Sequence, residues 1–445
     1  MKHTTVTFTV KDVLQTEVAP ALGCTEPVAI ALAAAAAASL VSKEEIEHIE
    51  IWVDPNVYKN GIAVAIPGAR GHHGLDLAGA IGALGGDPER RLEVLGPVTD
   101  EVVDKATELV KAKKVKINLL DSQKELFIKV SIKSKDNTSE CIITDLHDNI
   151  VSLRLNRKEI SNNPLLNREH STPDSLDVRA VETWLKGLPL ESLLQLLDDL
   201  DSEDMDFLEQ GVRYNLRLSE HGLKYGSGLG IGKTLERLVR QKLIKKDMMI
   251  SARTLTSAAS DARMAGVKLP AMSSAGSGNQ GLTATLPIWA VKDYVECDQK
   301  TIFESIGLSH IITAYVKAHT GRLSAVCGCS IAAGAGATAG ITYLLGGDLH
   351  HITGAITNLT VDLAGVICDG AKAGCSLKLA TAAGTAVQSA LFALHGVYVQ
   401  PTDGIIGTSP ERTVQNVGEL STQGMVETDR TILKIMLEKQ FSHVL

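Results

Sequence analysis

The residues best suited to chemistry lie in one stretch, positions 322–379. This stretch holds four of the seven cysteines of the 445-residue chain. A single glycine separates Cys327 from Cys329, and six turn-forming residues, Asp-Gly-Ala-Lys-Ala-Gly, separate Cys368 from Cys375. The chain does not begin with the apolar segment of a secretory signal. In a reducing compartment, clustered thiols are more often metal ligands or redox groups than disulfides.

The spacing of these cysteines leaves the kind of site open. Zinc sites with four cysteines usually use paired Cys-x₂₋₄-Cys knuckles, which are absent here. The alternative to a zinc site is an iron–sulfur cluster held by three cysteines. Such a cluster leaves one iron free to bind substrate, and that iron acts as a Lewis acid. Cys327 and Cys329 should point in different directions, so we expect only one of them to be a ligand. Inert buried cysteines fit the spacing equally well.

Cys24 is a second reactive candidate, in the sequence Gly23-Cys-Thr-Glu-Pro27 before an Ala-rich segment. Thr25 is predicted to cap a helix, with Glu26 and Pro27 in its first turn. A thiolate at a helix N-terminus is stabilised by free N–H groups and the helix dipole, so the pKa of Cys24 is expected to fall. A small buried cysteine is the alternative interpretation.

Two glycine-rich loops are candidate anion sites. The loop at 273–281 contains three glycines, which permit positive φ, together with Ser and Asn donors, so it suits a small carboxylate or phosphate; a merely flexible loop is the alternative. The segment 226–234 resembles a phosphate loop, but Ser227 stands where that motif requires glycine, and a flexible loop before a helix is preferred.

Composition narrows the function classes. A length of 445 residues favours two domains, and 44% hydrophobic with 22% charged residues is typical of globular proteins. The net charge of −8 argues against nucleic acid or an anionic membrane as partner. The most apolar run, 27–41, is shorter than the roughly 20 residues of a spanning helix. We expect a cytoplasmic protein with no membrane partner.

The periodicity predicts an α+β fold: a mixed α/β N-terminal region with short strands, followed by a mainly helical, Ala/Gly-rich catalytic domain. The predicted domains are 1–165 and 166–445, joined through a polar linker at 156–177. Strands are predicted at 48–53, 57–66, 114–120, 125–134, 140–145 and 150–155, with a turn at 54–56. Helices are predicted at 178–187, 191–211 and 233–246.

The assembled motifs resemble those of bacterial and archaeal L-cysteine desulfidases, in order and over essentially the whole chain. The motifs that carry the resemblance are 23–27, Asn-Val-Tyr-Lys-Asn-Gly at 56–61, Ser-Ala-Gly-Ser-Gly-Asn-Gln-Gly at 274–281, His-Thr-Gly-Arg-Leu-Ser at 319–324, Cys-Gly-Cys at 327–329 and Ile-Cys-Asp-Gly-Ala-Lys-Ala-Gly-Cys at 367–375. The helical half is also similar to the α-type domain of iron–sulfur L-serine dehydratases.

This resemblance implies a [4Fe–4S] cluster and a lyase that works without pyridoxal phosphate. Cys368 and Cys375 would be cluster ligands, with Cys329 favoured over Cys327 as the third. Cys24 would be the catalytic base or a fourth ligand in the resting state.

The implied substrate is a small amino acid, and we expect the enzyme to be a homodimer. Six residues would bind the substrate: Asn60, Ser274, Gly276, Ser277, Asn279 and His319. The implied reaction is α,β-elimination of L-cysteine to pyruvate, ammonia and hydrogen sulfide. L-Serine dehydration on the same site is the nearer alternative. A non-catalytic cluster-carrying sensor or small-molecule binder is the alternative from another class.

Overall fold

The computed structural model describes residues 7–123, 125–166, 178–321 and 324–442. The strands are β1 (Pro20–Leu22), β2 (Ile46–Val53), β3 (Val115–Leu119), β4 (Phe127–Ser134), β5 (Thr138–Thr144), β6 (Ile150–Leu155), β7 (Lys158–Glu159) and β8 (Pro270–Met272). The helices are α1 (Val10–Glu17), α2 (Thr25–Ala38), α3 (Pro55–Gly61), α4 (Leu75–Gly85), α5 (Asp100–Lys111), α6 (Val178–Lys186), α7 (Leu190–Gln195), α8 (Ser202–Tyr225), α9 (Ile231–Arg240), α10 (Met248–Met264), α11 (Gly278–Val291), α12 (Gln299–Thr320), α13 (Ala332–Leu344), α14 (Leu349–Leu363), α15 (Cys375–Leu394), α16 (Pro410–Glu419) and α17 (Val426–Ser442). The predicted α+β class is confirmed.

A six-stranded sheet of order β3-β2-β4-β5-β6-β7 forms the centre of the N-terminal region. β2 runs parallel to β3 and antiparallel to β4, and the remaining pairs are antiparallel. Alternate residues of β2, Ile49, Ile51 and Val53, are completely buried, as expected for a strand with one face on the core. Every residue of α2 is also buried, because its small alanine side chains let α4 pack closely against it. The approach is so close that a Cβ on Gly82 of α4 would lie 2.2 Å from the carbonyl oxygen of Ala31.

The predicted strand at 57–66 is wrong, because the segment opens with helix α3. The Asp54 carboxylate accepts hydrogen bonds from the backbone N–H groups of Asn56 and Val57, and Pro55 occupies the first helical turn. Asp-Pro-Asn, predicted as a turn, is therefore a helix start, since the same residue types favour both structures. The other predicted strands are confirmed within a few residues.

The C-terminal region is a bundle of helices packed at close range. Gly336 and Gly340 of α13 let it approach α12, because a Cβ at either position would lie within 2.4 Å of a backbone carbonyl oxygen of α12. The single helix predicted at 191–211 is wrong: Asp201 forms a capping box with Asp204, which ends the preceding segment and starts α8.

Several contacts join the two regions. α1 contributes Val10, Val13 and Leu14 to the core of the helical region. α17 returns to place Leu433 and Leu437 against the N-terminal core. β1 pairs with β8, which brings the loop before α2 beside the loop before α11. The division at 165/166 stays a prediction, and residues 167–177 of the predicted linker lie outside the described residues.

Within the described part of the chain, one helix, α15, is long and apolar enough to cross a membrane by length and composition. Of its most apolar window, 56% of the residues are buried inside the protein, as in the core helix of a globular domain.

Candidate active site

A short bridge between two chain segments brings three of the clustered cysteines together. Val326 pairs with Ile367, the Cys327 N–H donates to the Val366 carbonyl at 2.9 Å, and the Cys368 N–H donates to the Ala325 carbonyl at 2.6 Å. Cys327 and Cys329 therefore lie beside Cys368, although about 40 residues of chain separate them.

Cys375, the first residue of α15, completes this group of four thiols. Its Sγ lies 3.8 Å from the Gly370 carbonyl oxygen. Burial, together with the neighbouring Cys327 and Cys368, raises the pKa of Cys375 to about 11 against the opposing effect of Lys372. Burial and Cys327 likewise raise the pKa of Cys368. We name Cys327, Cys329, Cys368 and Cys375 the thiol group.

The expectation that Cys327 and Cys329 point in different directions is wrong. Their thiols hydrogen-bond to each other, which lowers the pKa of Cys327 and raises that of Cys329. Ser330 also stabilises the Cys327 thiolate. The tight turn at Gly328 places both thiols on one side, because the Ser330 and Ile331 N–H groups both donate to the Cys327 carbonyl. Either thiol is therefore positioned to be the third ligand.

Lysine side chains surround the thiol group. The positive charges of Lys59 and Lys317 lower the pKa of Cys368, and that of Lys378 lowers the pKa of Cys327. Lys59 is only 1% exposed and pairs with Asp429 of α17. Lys378 donates to the Ile367 carbonyl at 2.7 Å and to Asp369 at 2.6 Å. These cations favour anionic sulfur at this position.

Cys24 packs against the same group, since it shares a small cluster with Val64, Met264, Ala371 and Cys375. It is the N-cap residue of α2, where Thr25 was predicted. The expected fall in the pKa of Cys24 is wrong: burial and the adjacent Glu26 carboxylate raise it well above its usual value, which outweighs the helix N-terminus and Arg263.

Glu26 is the hydrogen-bond acceptor of this thiol, with Cys24 Sγ 3.0 Å from its Oε2. Burial alone would raise the pKa of Glu26, but His147, the Cys24 thiol and Arg263 together hold it below its ordinary value. His147 Nε2 lies 4.0 Å from Glu26 Oε1. The pair is therefore a protonated thiol that donates its hydrogen bond to an ionised carboxylate.

The loop before α11 is a tight two-residue turn. Ala275 and Gly276 both have positive φ, and Ser274 and Ser277 exchange backbone hydrogen bonds at 3.1 Å. Ser274 Oγ lies 3.0 Å from Nδ1 of the buried His310. Gly276 is exposed and Ser277 is half-buried.

The other two glycines of that loop serve close packing and not positive φ, contrary to the expectation. A Cβ on Gly278 would lie 2.4 Å from Arg263 Nε, and one on Gly281 would lie 1.9 Å from the Met272 carbonyl oxygen. The N-terminus of α11 is therefore pressed between β8 and the Arg263 side chain.

Three buried amide side chains near the thiols have an oxygen without a hydrogen-bond partner: Asn60, Asn279 and Gln280. Asn60 borders Gly370, Asn279 Nδ2 donates to Met264 Sδ at 3.5 Å, and Gln280 borders Gly328. Burying an amide oxygen without a hydrogen-bond partner costs free energy. These three side chains are therefore candidates for binding a ligand.

The predicted residue His319 lies in the last turn of α12, and its role stays a prediction. Its ring packs on Tyr315 at 5.1 Å, and its backbone borders Gly418. Arg322 and Leu323 of the same motif lie outside the described residues. His72 and His73 are exposed in the loop before α4.

Sequence reasoning missed Glu26, Gln280 and Arg263 as site residues. Glu26 lies in the motif at 23–27 and Gln280 in the motif at 274–281. Both motifs had been identified from the sequence, so they could have pointed to these two residues. Arg263 lies in an ordinary helix, α10, and no local pattern marks it.

In the segment 226–234, which resembles a phosphate loop, a side chain of the protein itself takes up a backbone donor. Asp261 accepts a hydrogen bond from the Gly232 N–H at 3.1 Å.

The donor set fits an iron–sulfur cluster better than a single metal ion. Among the described residues, no three His, Cys, Asp or Glu side chains are grouped to bind one ion. The thiols are nevertheless close enough to shift one another's pKa, and three ammonium groups act on them. A cluster spreads its thiolate ligands more widely than one ion does, and it is held by cysteine thiolates.

The α+β fold thus gathers thiols, lysines and amides without hydrogen-bond partners at one candidate site. The model for the serine dehydratase alpha chain matches residues 89–434, so the chain belongs to this family.

The chain is also 61% identical to a UPF0597 protein of Desulfatibacillum aliphaticivorans, over 98% of this chain and 99% of the relative. It is 43% identical to a UPF0597 protein of Clostridioides difficile, over 96% of this chain and 98% of the relative.

Proposed function

We propose that this protein is an L-cysteine desulfidase, which converts L-cysteine to pyruvate, ammonia and hydrogen sulfide. The observation that carries the proposal is the Cys24 thiol, hydrogen-bonded to Glu26 and packed against Cys375 of the thiol group. An acid–base pair thus lies beside the proposed ligand set, as α,β-elimination requires.

Cys368, Cys375 and one of Cys327 and Cys329 would hold a [4Fe–4S] cluster. When bound, such a cluster with one iron free of protein thiolate supplies a Lewis acid for the carboxylate or the leaving sulfur. Lys59, Lys317 and Lys378 offset the negative charge of the thiolates. Asn60, Asn279 and Gln280 offer buried amides to the polar groups of the substrate.

The proton at Cα is removed by the Cys24–Glu26 pair. Glu26 accepts the hydrogen bond of the Cys24 thiol and is the group to which the thiol proton would pass once bound substrate offsets the raised pKa of Cys24, and the resulting thiolate would take the proton from Cα. The electron pair of the broken C–H bond forms the Cα–Cβ double bond as HS⁻ leaves from Cβ. The aminoacrylate that remains tautomerises and is hydrolysed to pyruvate and ammonia. No lysine sits in a recognisable pyridoxal phosphate motif, so we propose a reaction without that cofactor, in a cytoplasmic homodimer.

The test is turnover by anaerobically purified protein, with iron and sulfide measured on the same sample. We expect about four irons per chain and pyruvate release from L-cysteine that stops when the iron is removed. Desulfidation that continues without iron would refute the proposal. An intact cluster with no ammonia from any β-substituted amino acid would instead indicate a non-catalytic sensor or binder.

L-Serine dehydration is the second candidate, favoured by the match to the serine dehydratase alpha chain. Hydroxide and hydrosulfide leave from the same carbon, so the same residues serve both reactions. The ratio of kcat/KM for L-cysteine to that for L-serine decides between them.

A further inference from the structure

The outward side of α15 carries an uncharged stripe. Its exposed residues are Leu377, Thr381 and Phe392, whose spacing places them on one face of the helix. Leu377 is 53% exposed and Phe392 is 46% exposed. The one charged residue of α15, Lys378, donates to Asp369 at 2.6 Å and is thereby neutralised. From Leu377 to Phe392 the outer side of α15 therefore presents no free charge.

The neighbouring helix α14 extends this stripe. Its Val361 is 48% exposed, and Asn358 lies one turn earlier on the same side. Asn358 Nδ2 donates to the Val397 carbonyl at 2.8 Å and Oδ1 accepts from the Val399 N–H at 3.0 Å, which places Val397, 54% exposed, beside α14. The exposed Asp362 lies about 100° further around the helix than Val361. We name the following residues the uncharged face: Val361, Leu377, Thr381, Phe392 and Val397.

A helix of the same protein that faces water has a different composition. From Glu203 to Lys224, α8 has seven exposed residues, and six of them are charged. In α15 the exposed residues are uncharged, although only 56% of its most apolar window is buried within the chain. Adjoining exposed apolar side chains mark interaction surfaces in proteins. The contrast indicates that α15 packs against a further surface, whereas α8 does not.

Area and charge favour a second copy of the chain as that surface. α15 has 20 residues and is about 30 Å long, and two adjacent helices about 10 Å wide present roughly 600 Å² per copy, which reaches the range of stable dimers. A helix that lies on a membrane carries several Lys or Arg residues, whereas α15 has only Lys378. Around a two-fold axis, an uncharged face meets its own copy without opposing like charges.

We propose that the uncharged face is the interface of a homodimer, in which α14 and α15 pack against the same two helices of a second copy. Leu377 and Phe392 are its large apolar anchors. α15 begins at Cys375, and Ile367, 39% exposed, precedes Cys368. The interface thus starts beside the thiol group, and the second copy covers that edge of it. This inference goes beyond the proposed reaction and does not depend on it.

The test is the mass of the full-length, anaerobically purified protein in solution, measured by sedimentation velocity at several micromolar concentrations. We expect the wild type to sediment with twice the mass of one chain. Leu377→Glu would bury an unpaired charge against the partner, so the dissociation constant of the dimer should rise by at least about 100-fold. Leu243→Glu, the same change at a leucine that is 69% exposed outside the uncharged face, is the matched control and should leave the dimer unchanged.

A second variant guards against misfolding. Thr381→Lys changes an exposed polar residue of the same face, and should keep the circular dichroism of the wild type. Its long side chain can bend toward water, so the dissociation constant should rise less, by about 10-fold. If Leu377→Glu does not fold, Thr381→Lys decides.

A monomeric wild type would overturn the proposal, and so would a dimer whose dissociation constant is unchanged in Leu377→Glu and Thr381→Lys. Monomers that sediment with vesicles of phosphatidylcholine and phosphatidylglycerol would assign the face to lipid, which also contradicts the proposal. Failure of the proposed function is measured separately, as pyruvate release. A dimer lost in Leu377→Glu would therefore support this interface even if no amino acid yields pyruvate.

Discussion

The pair formed by His310 and Ser274 predicts a defined loss of stability in acid. His310 lies in α12, is 3% exposed, and its Nδ1 is 3.0 Å from Ser274 Oγ at the turn before α11. Burial lowers the pKa of His310 from 6.5 to about 4. The folded protein thus keeps this imidazole neutral, whereas the unfolded chain takes up a proton as the pH falls below 6.5.

The sign and size follow from linkage. A group whose folded pKa is depressed contributes stability that is present above its unfolded pKa and is lost as the pH falls toward its folded pKa. With pKa values of 6.5 unfolded and about 4 folded, lowering the pH from 7 to 5 removes roughly 2 kcal/mol of the free energy of unfolding. The loss continues until the pH reaches about 4.

The assay is urea unfolding of metal-free wild type and His310→Gln at pH 7 and pH 5. Gln keeps a donor for Ser274 but does not titrate, so the variant should lose about 2 kcal/mol less than wild type between these pH values. His73→Gln, at an exposed position in the loop before α4, is the control and should keep the wild-type pH dependence of stability. Equal pH dependence in wild type and His310→Gln would refute the reasoning.

Three further perturbations test the surroundings of the thiols. Asp429→Asn leaves the buried Lys59 without its carboxylate and should destabilise the protein by about 3 kcal/mol in urea unfolding, whereas Glu427→Gln on the exposed face of α17 should cost under about 0.5 kcal/mol. Gly370→Ala places a Cβ 2.2 Å from the Lys59 carbonyl at a φ of +88°, so iron content after anaerobic reconstitution should fall; full occupancy would contradict the close approach. Glu26→Gln removes the ionised acceptor of the Cys24 thiol, and under the proposed function kcat for pyruvate release should drop by about 10²- to 10⁴-fold with unchanged iron content; unchanged kcat would exclude Glu26 from proton transfer.

Much of the secondary structure was predictable because it is encoded locally. β2 alternates buried and exposed residues, and the Ala-rich α2 is continuous, so both could be located from their patterns. The segment after Asp54 was mispredicted because an apolar run of this length fits strand and helix alike. The helix α3 is selected by its cap and by packing against the rest of the domain, which a short window does not contain.

The candidate site was predictable in its residue types and only partly in its electrostatics. The spacing of the cysteines left a shared site and inert buried thiols equally open, and the resemblance implied a shared site for Cys368, Cys375 and one of Cys327 and Cys329; the structure places all four together. The protonation of Cys24 was predicted with the wrong sign. Its helix N-terminus was correctly identified, but the depth of burial and the Glu26 carboxylate outweigh the dipole.

The sequence by itself determined which side chains could do chemistry, where most helices and strands begin, and that the chain carries a net charge of −8. Only the tertiary structure decided which of those side chains act on one another. Lys59 meets Asp429 across 370 residues, and Arg263 meets Gly23 across 240. The reason is physical: a buried charge or thiol takes its energy from the groups packed around it, and these come from segments far apart in the chain.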